Sequence, residues 1–274
     1  MKKVLSVLLA LVAVLALASC SGANNDKITV ITREDGSGTR GAFMELFEIE
    51  EIIATAEVSQ STTVVMTSVS TNPSAIGYIS LGSLDGSVKA LKIDGADASV
   101  ENIKNGSYKI SRPFNVATKG ELSALASDFL AYILSEEGQK VVEDNGYVTV
   151  GNNGAYSGGN MTGKIVITGS SSVKPVMEKL KEAYMALNPD AEISLMQSDS
   201  SNGMKSVADG LCDIGMASRE LKSSELEQGL DATSIAIDGV AVIVNKDSGV
   251  TDLTSEQIRK IYSGEITLWS ELAQ

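Results

Sequence analysis

The sequence predicts an α/β protein with largely parallel sheets and enough chain for two lobes. Three observations carry this. Brief apolar runs rich in β-branched residues alternate with longer stretches that place Ala, Leu, Met and Tyr at three- and four-residue spacings. Turn residues bound each run, so strands and helices follow one another in turn. The chain has 274 residues, room for two units of roughly 100–150 residues, each with its own core.

Taken in order, residues 1–19 are of another kind. Lys2 and Lys3 precede an apolar run over residues 4–18, broken only by Ser6, which is short of the ~20 residues a spanning helix needs and reads as a secretory signal peptide. The run ends in Leu17-Ala18-Ser19-Cys20, which resembles the lipobox of bacterial lipoproteins. That implies a lipidated Cys20 and a tether over 20–26; the alternative is an ordinary signal with a chance cysteine. Acyl chains contribute about 0.8 kcal/mol per buried CH₂, so such a group would hold the protein on a membrane face without a spanning helix. Residues 27–32, 164–168, 191–196 and 240–245 read as buried strands, and 41–47, 122–136, 138–144, 173–187 and 255–263 as helices. Residues 151–163 hold five Gly and three Asn and read as a flexible linker or loop. Cys212 has no partner cysteine once Cys20 is lipidated, and reads as a small buried apolar residue.

Composition excludes several functions. The formal net charge is −13, and −15 once Lys2 and Lys3 leave with residues 1–19. Nucleic acid is therefore not an expected partner, because affinity there comes from Lys and Arg neutralising phosphates. There is no histidine and there are two cysteines. Ser-His-Asp and Cys-His catalysis and the usual zinc sites fall away, and no metal or cofactor is expected.

The strongest chemical signal is a recurrence of strand, small polar loop and helix start. Gly169-Ser170-Ser171-Ser172 opens the helix from 173, Ser198-Asp199-Ser200-Ser201-Asn202-Gly203 opens one from about Met204, and Asp35-Gly36-Ser37-Gly38-Thr39-Arg40 opens the helix from Gly41. Such loops aim backbone N–H groups and hydroxyls at one spot, where the positive end of the helix dipole also lies, and suit a compact oxyanion. Helix capping alone also explains each loop taken singly. Gly36, Gly38 and Gly41 literally match the dinucleotide fingerprint G-x-G-x-x-G. The match is weak, because Arg33-Glu34-Asp35 separates the first glycine from the strand. A serine hydrolase with a lysine base such as Lys174 is the alternative of another class, but no Ser-x-x-Lys or Gly-x-Ser-x-Gly stands in these loops.

Four segments, Thr32 to Arg40, Gly169 to Val173, Asp213 to Glu220 and Ala236 to Asn245, resemble the phosphate-binding proteins that serve bacterial ABC-type phosphate importers. The likeness extends through Leu253–Trp269 and Ala75–Tyr78. Its order is rotated: the family's usual first loop is here Gly169–Ser172, and the Asp-Gly-Ser-Gly-Thr loop comes early instead of after the segment that here ends the chain. The sequence therefore looks circularly permuted, with residues 151–163 joining the family's usual termini; a fragment of a tandem duplication is the alternative.

The resemblance implies a type II periplasmic-binding-protein fold: two lobes of mixed sheets flanked by helices, with a hinge of crossing strands. Lobe I would comprise 112–150 and 164–240, lobe II 27–111 and 241–274. It implies no enzymatic activity. Ser171, Ser172, Ser200, Ser201, Arg33, Ser37, Gly38 and Thr39 would contact inorganic phosphate. Asp35 would orient Arg33, with Arg40 beside it. Arg219 stands where some members carry an Asp that accepts the phosphate proton; it would either contact the anion or pair with Glu220. Sulfate or a molybdate-type oxyanion is the alternative ligand. The partners implied are the membrane-embedded permease subunits, with the protein a monomer lipid-anchored through Cys20 on the outer face of the cell membrane.

Overall fold

The computed structural model describes residues 27–273. The expected signal, Cys20 and the tether lie outside these residues. Strand β1 (Thr29–Arg33) runs into helix α1 (Gly38–Leu46), followed by β2 (Glu57–Ser59), α2 (Thr62–Thr71), β3 (Ala75–Ser80), the short β4 (Lys89–Ala90) and β5 (Lys92–Ile93), and α3 (Val100–Lys104). The long β6 (Ser111–Lys119) leads to α4 (Ala124–Ile133) and α5 (Glu136–Asp144). Then come β7 (Gly163–Ser170), α6 (Lys174–Leu187), β8 (Ala191–Ser198), α7 (Ser200–Ala208), β9 (Ile214–Ala217), α8 (Ser223–Leu226), β10 (Leu230–Val244), β11 (Asp252–Leu253) and α9 (Ser255–Ser263). No helix among the described residues is long and apolar enough to cross a membrane.

The fold is α/β, as the alternation predicts, but its sheet is mixed. The strands run in the order β2-β1-β3-β10-β6-β9-β7-β8. Strands β2, β1 and β3 are mutually parallel, as are β9, β7 and β8; the joins β3–β10, β10–β6 and β6–β9 are antiparallel. Parallel pairing therefore lies in the two arms. The expected strand over 240–245 is only the end of the 15-residue β10, which pairs with β6 over Leu230–Gly239 and with β3 over Val240–Val244. One strand thus belongs to both arms.

The buried apolar residues divide at the same place. One cluster draws on residues between Ile28 and Ile110 and between Val240 and Tyr262, with Phe43 stacked on Tyr78 at 3.9 Å. A second runs from Phe114 to Ala236 and centres on Phe129, Met177, Leu180 and Tyr184, and a smaller cluster lies beside each. Among the described residues the chain crosses between the two larger clusters only along β6 and β10.

Two local expectations need correction. Two helices are present where 122–136 and 138–144 are expected, but the boundary falls earlier, because Ser135 caps the second: its Oγ donates to Tyr132 O and accepts from Gly138 N at 3.1 Å. A side chain at 138 would strike that turn, a Cβ there lying 2.0 Å from Tyr132 O. Residues 151–163, expected to be flexible, are fastened. Tyr156 Oη donates to Asp128 Oδ2 at 2.6 Å, Tyr156 N donates to Glu137 Oε2 at 2.7 Å, and Met161 N donates to Asn188 Oδ1 at 3.0 Å. Composition reported the glycines; the tyrosine decides the outcome.

Candidate anion site

Each arm of the sheet ends its parallel strands at the same place. In open α/β sheets the crevice beyond the carboxyl ends of the strands is the usual ligand position. From one arm, β1 delivers Arg33, and Ser37 then caps α1 by accepting from Arg40 N at 3.3 Å. Ser61 caps α2 in the same way and brings Thr62 to the crevice. From the other arm, β7 ends in Ser170-Ser171-Ser172, β8 leads through Asp199, the cap of α7, to Ser200, and β9 ends beside Ser218. The last of the three expected helices begins at Ser200 rather than Met204.

These side chains meet. Thr39 Oγ1 lies 2.9 Å from Ser172 Oγ and 3.3 Å from Ser218 Oγ. Thr62 Oγ1 lies 3.1 Å from Ser172 Oγ and 3.5 Å from Ser171 Oγ. Ser170 Oγ donates to Ser218 Oγ at 3.0 Å, and Ser200 Oγ accepts from Ser218 N at 3.1 Å. All seven hydroxyl residues are buried, with Ser172, Ser200 and Ser218 fully so. Arg33, 2% exposed, donates to Ser171 Oγ at 3.1 Å through Nη2.

Glycine is required where the arms touch. A Cβ at Gly38 would lie 2.4 Å from Ser200 Oγ and 2.8 Å from Ser218 Oγ, and one at Gly36 would lie 2.3 Å from the Asp199 carboxylate. Gly36 O accepts from Ser201 N at 3.1 Å. The arms are closed on each other at this point.

The charge partners differ from those expected. Arg33 is clamped by Glu34, not Asp35: Nε and Nη2 donate to the two Glu34 carboxylate oxygens at 2.8 and 2.7 Å. The Asp35 side chain is 96% exposed and pairs with Arg40. The turn after β1 tucks Glu34 beneath the guanidinium and throws Asp35 outward. Arg219 is occupied by Glu225, donating to both its carboxylate oxygens at 2.8 and 2.7 Å, and reaches only the backbone oxygen of Glu220. Burial would raise the Glu225 carboxyl, but the Arg219 hydrogen bonds hold it below the usual range. Ser201 sits at the rim, its Oγ 3.4 Å from Arg219 Nη2.

Sequence reasoning missed Thr62, Ser170, Ser218 and Arg112. Thr62 sits in Ser59-Gln60-Ser61-Thr62, a fourth loop of the same composition, and Ser218 precedes the arginine that drew attention. Arg112, buried on β6, donates to Thr39 Oγ1 at 3.1 Å. Its strand, Ser-Arg-Pro-Phe-Asn-Val-Ala-Thr-Lys, mixes polar and apolar residues, so the arginine does not stand out locally.

The cluster consists of hydroxyls and guanidiniums. Among the described residues no carboxylate or lysine hydrogen-bonds any of the seven hydroxyls, and no group of three or more His, Cys, Asp or Glu could hold a metal ion. Hydroxyls around a guanidinium, at the starts of α1, α2, α6 and α7, match a tetrahedral oxyanion.

Comparison with known proteins agrees. The profile of the PBP superfamily domain matches residues 12–137 and 154–274. The phosphate-binding protein PstS 2 of Streptococcus agalactiae is 50% identical over 97% of each chain. The chain belongs to the PstS phosphate-binding protein family. PstS 2 of Streptococcus pneumoniae is 41% identical over 89% of this chain and 87% of its own. The crystal structure of a phosphate-binding protein of a phosphate ABC transporter from Streptococcus pneumoniae superposes with a TM-score of 0.71 at 41% identity, over 90% of this chain and 99% of that one. PstS of Bacillus subtilis is 37% identical, but over 40% of this chain and 38% of its own.

Proposed function

We propose that the protein binds inorganic phosphate between the two arms of its sheet and delivers it to the membrane-embedded permease of an ABC phosphate importer, without turnover. The observation that carries this is the buried set of seven hydroxyls and the Arg33 guanidinium where the two arms close. Hydrogen bonds to a charged group are worth about 1.5–3 kcal/mol each, and micromolar affinity needs about 8 kcal/mol net. Several such donors suffice after desolvation and closure. The acidic surface does not oppose this, since outer charges are screened beyond roughly 8 Å at physiological salt. Hydroxyls accept as well as donate, so a protonated phosphate oxygen finds a partner without a carboxylate. Arg33, Ser37, Gly38, Thr39, Ser171, Ser172 and Ser200 form the contact set, joined by Thr62, with Ser201 and Arg219 at its rim.

The lobes are 112–150 with 164–240, and 27–111 with 241–274, a division supported by the split of the apolar clusters. Circular permutation is supported by the pairing of Lys27 with Leu268 and by Ile28 N donating to Thr267 O at 2.8 Å, which hold the early and late segments side by side. The Bacillus subtilis match over about the length of one arc points the same way. The protein acts as a monomer, with Cys20 as its lipid anchor on the outer face of the cell membrane.

Isothermal titration of residues 21–274 with phosphate, sulfate, arsenate and molybdate in phosphate-stripped buffer tests the ligand. Phosphate is expected to bind more tightly than sulfate; sulfate binding the more tightly overturns the choice.

A further inference from the structure

A charged pair sits where the two long strands run together. Arg112 on β6 and Asp238 on β10 are direct cross-strand partners, 4% and 1% exposed, with Arg112 Nη2 3.2 Å from Asp238 Oδ2. Asp238 is satisfied on one side only: its Oδ1 accepts from Ser80 Oγ at 3.0 Å and from Gly82 N at 3.2 Å, while its Oδ2, facing the guanidinium, has no hydrogen-bond partner. Arg112 is likewise short of partners. Its Nη2 donates to Thr39 Oγ1, while Nε and Nη1 are buried with no hydrogen-bond partner.

The other two arginines beside the site are held differently. Arg33 and Arg219 each spend two donors on one carboxylate in a forked pair, the geometry that makes arginine specific for oxyanions. Arg112 faces its carboxylate through one nitrogen and keeps the rest of its fork unspent. Leaving a buried donor unpaired is unfavourable. The Phe114 ring 5.3 Å from the guanidinium carbon offsets part of that. Arg33 lies close enough for its charge to act against that of Arg112, so two cations are held out of water around one hydroxyl cluster. An anion among those hydroxyls relieves both the repulsion and the unpaired donors.

We infer that Arg112 is a second cationic determinant of the anion site, holding Thr39 in place and lending its charge and unspent donors to the bound phosphate, while Asp238 competes with the anion for the same guanidinium. This rests on the phosphate reading above. It predicts changes of opposite sign. Removing Arg112 weakens binding; removing the charge of Asp238 leaves the guanidinium wholly to the anion and strengthens it.

The test is isothermal titration of the wild type, Arg112→Met, Arg112→Lys and Asp238→Asn with phosphate at pH 7.5. Asparagine keeps an oxygen for Ser80 and Gly82. Arg112→Met is expected to weaken phosphate binding about 30-fold, Arg112→Lys by less, and Asp238→Asn to tighten it several-fold. Should Arg112→Met fail to fold, Arg112→Lys and Asp238→Asn still move in opposite directions. Variants that leave the affinity unchanged, or that all weaken it, overturn the inference and leave a pair that only joins two strands. A wild type that does not bind phosphate overturns this inference and the proposed function together.

Discussion

Arg33 and Arg112 are both buried guanidiniums that donate to the same hydroxyl cluster, yet they are held in unlike ways. Arg33 stands at the end of β1, fixed by the adjacent Glu34 through two hydrogen bonds, with Nη2 still reaching Ser171. Arg112 stands mid-strand on β6, faces an aspartate on another strand through one nitrogen, and leaves two nitrogens without partners. A local clamp makes the first arginine a pre-organised feature of its loop. A long-range partner makes the second depend on how β6 and β10 are paired, and couples the site to the strands that join the arms.

Arg33→Lys breaks the comparison most severely. Lysine keeps the charge but cannot fork onto Glu34 and reach Ser171 at once, so phosphate affinity should fall about 100-fold, or about 2.8 kcal/mol, in a calorimetric titration. Retained affinity would place the anion away from Arg33.

Glu34→Gln and Asp35→Asn sharpen the assignment of the clamp. Loss of the Glu34 charge should weaken phosphate binding about tenfold by releasing the guanidinium, about 1.4 kcal/mol. Asp35→Asn should change it less than twofold, because that carboxylate faces solvent and meets Arg40. The reverse order would restore Asp35 to the role its sequence position suggests.

The Arg112 side of the comparison has its own signature in stability. Burial pushes the Asp238 carboxyl up to about 6, against the pull of Arg112 and of hydrogen bonds from Gly82 and Ser80. The folded state therefore holds this proton more tightly than the unfolded chain, whose carboxyl titrates near 3.9. The resulting stability is present below about pH 4 and lost as pH rises to about 6. Thermal unfolding of the wild type against Asp238→Asn should show the variant gaining relative stability across that interval. A constant difference would mean that Asp238 does not titrate there.

The smallest effect concerns the linker. Tyr156→Phe removes the hydroxyl bound to Asp128 and should lower the melting temperature by about 2–4 °C, as a loss of about 1 kcal/mol does in a domain of this size. Phosphate affinity should stay as it is. An unchanged melting temperature would show the tyrosine clasp to be idle.

What was legible in the sequence follows from the range of the interactions. Gly-Ser-Thr loops that cap helices are local, so Ser37, Thr39, Ser171, Ser172 and Ser200 could be read from the run itself. The alternation of apolar runs gave α/β, but not the antiparallel centre, because the partner of β10 is chosen by distant strands. Glu34 and Asp35 are adjacent acids, and only the turn decides which faces inward. Arg112 needs Asp238, 126 positions away in the numbering, and the fastening of 151–163 needs Asp128 and Asn188. None of these leaves a trace in local spacing.

The most direct test of the central claim is the crystal structure of the phosphate complex. The anion should lie within hydrogen-bond distance of Thr39, Thr62, Ser172 and the Arg33 guanidinium, between the two arms of the sheet. Phosphate bound elsewhere, with the Ser and Thr hydroxyls still bonded only to one another, would contradict it.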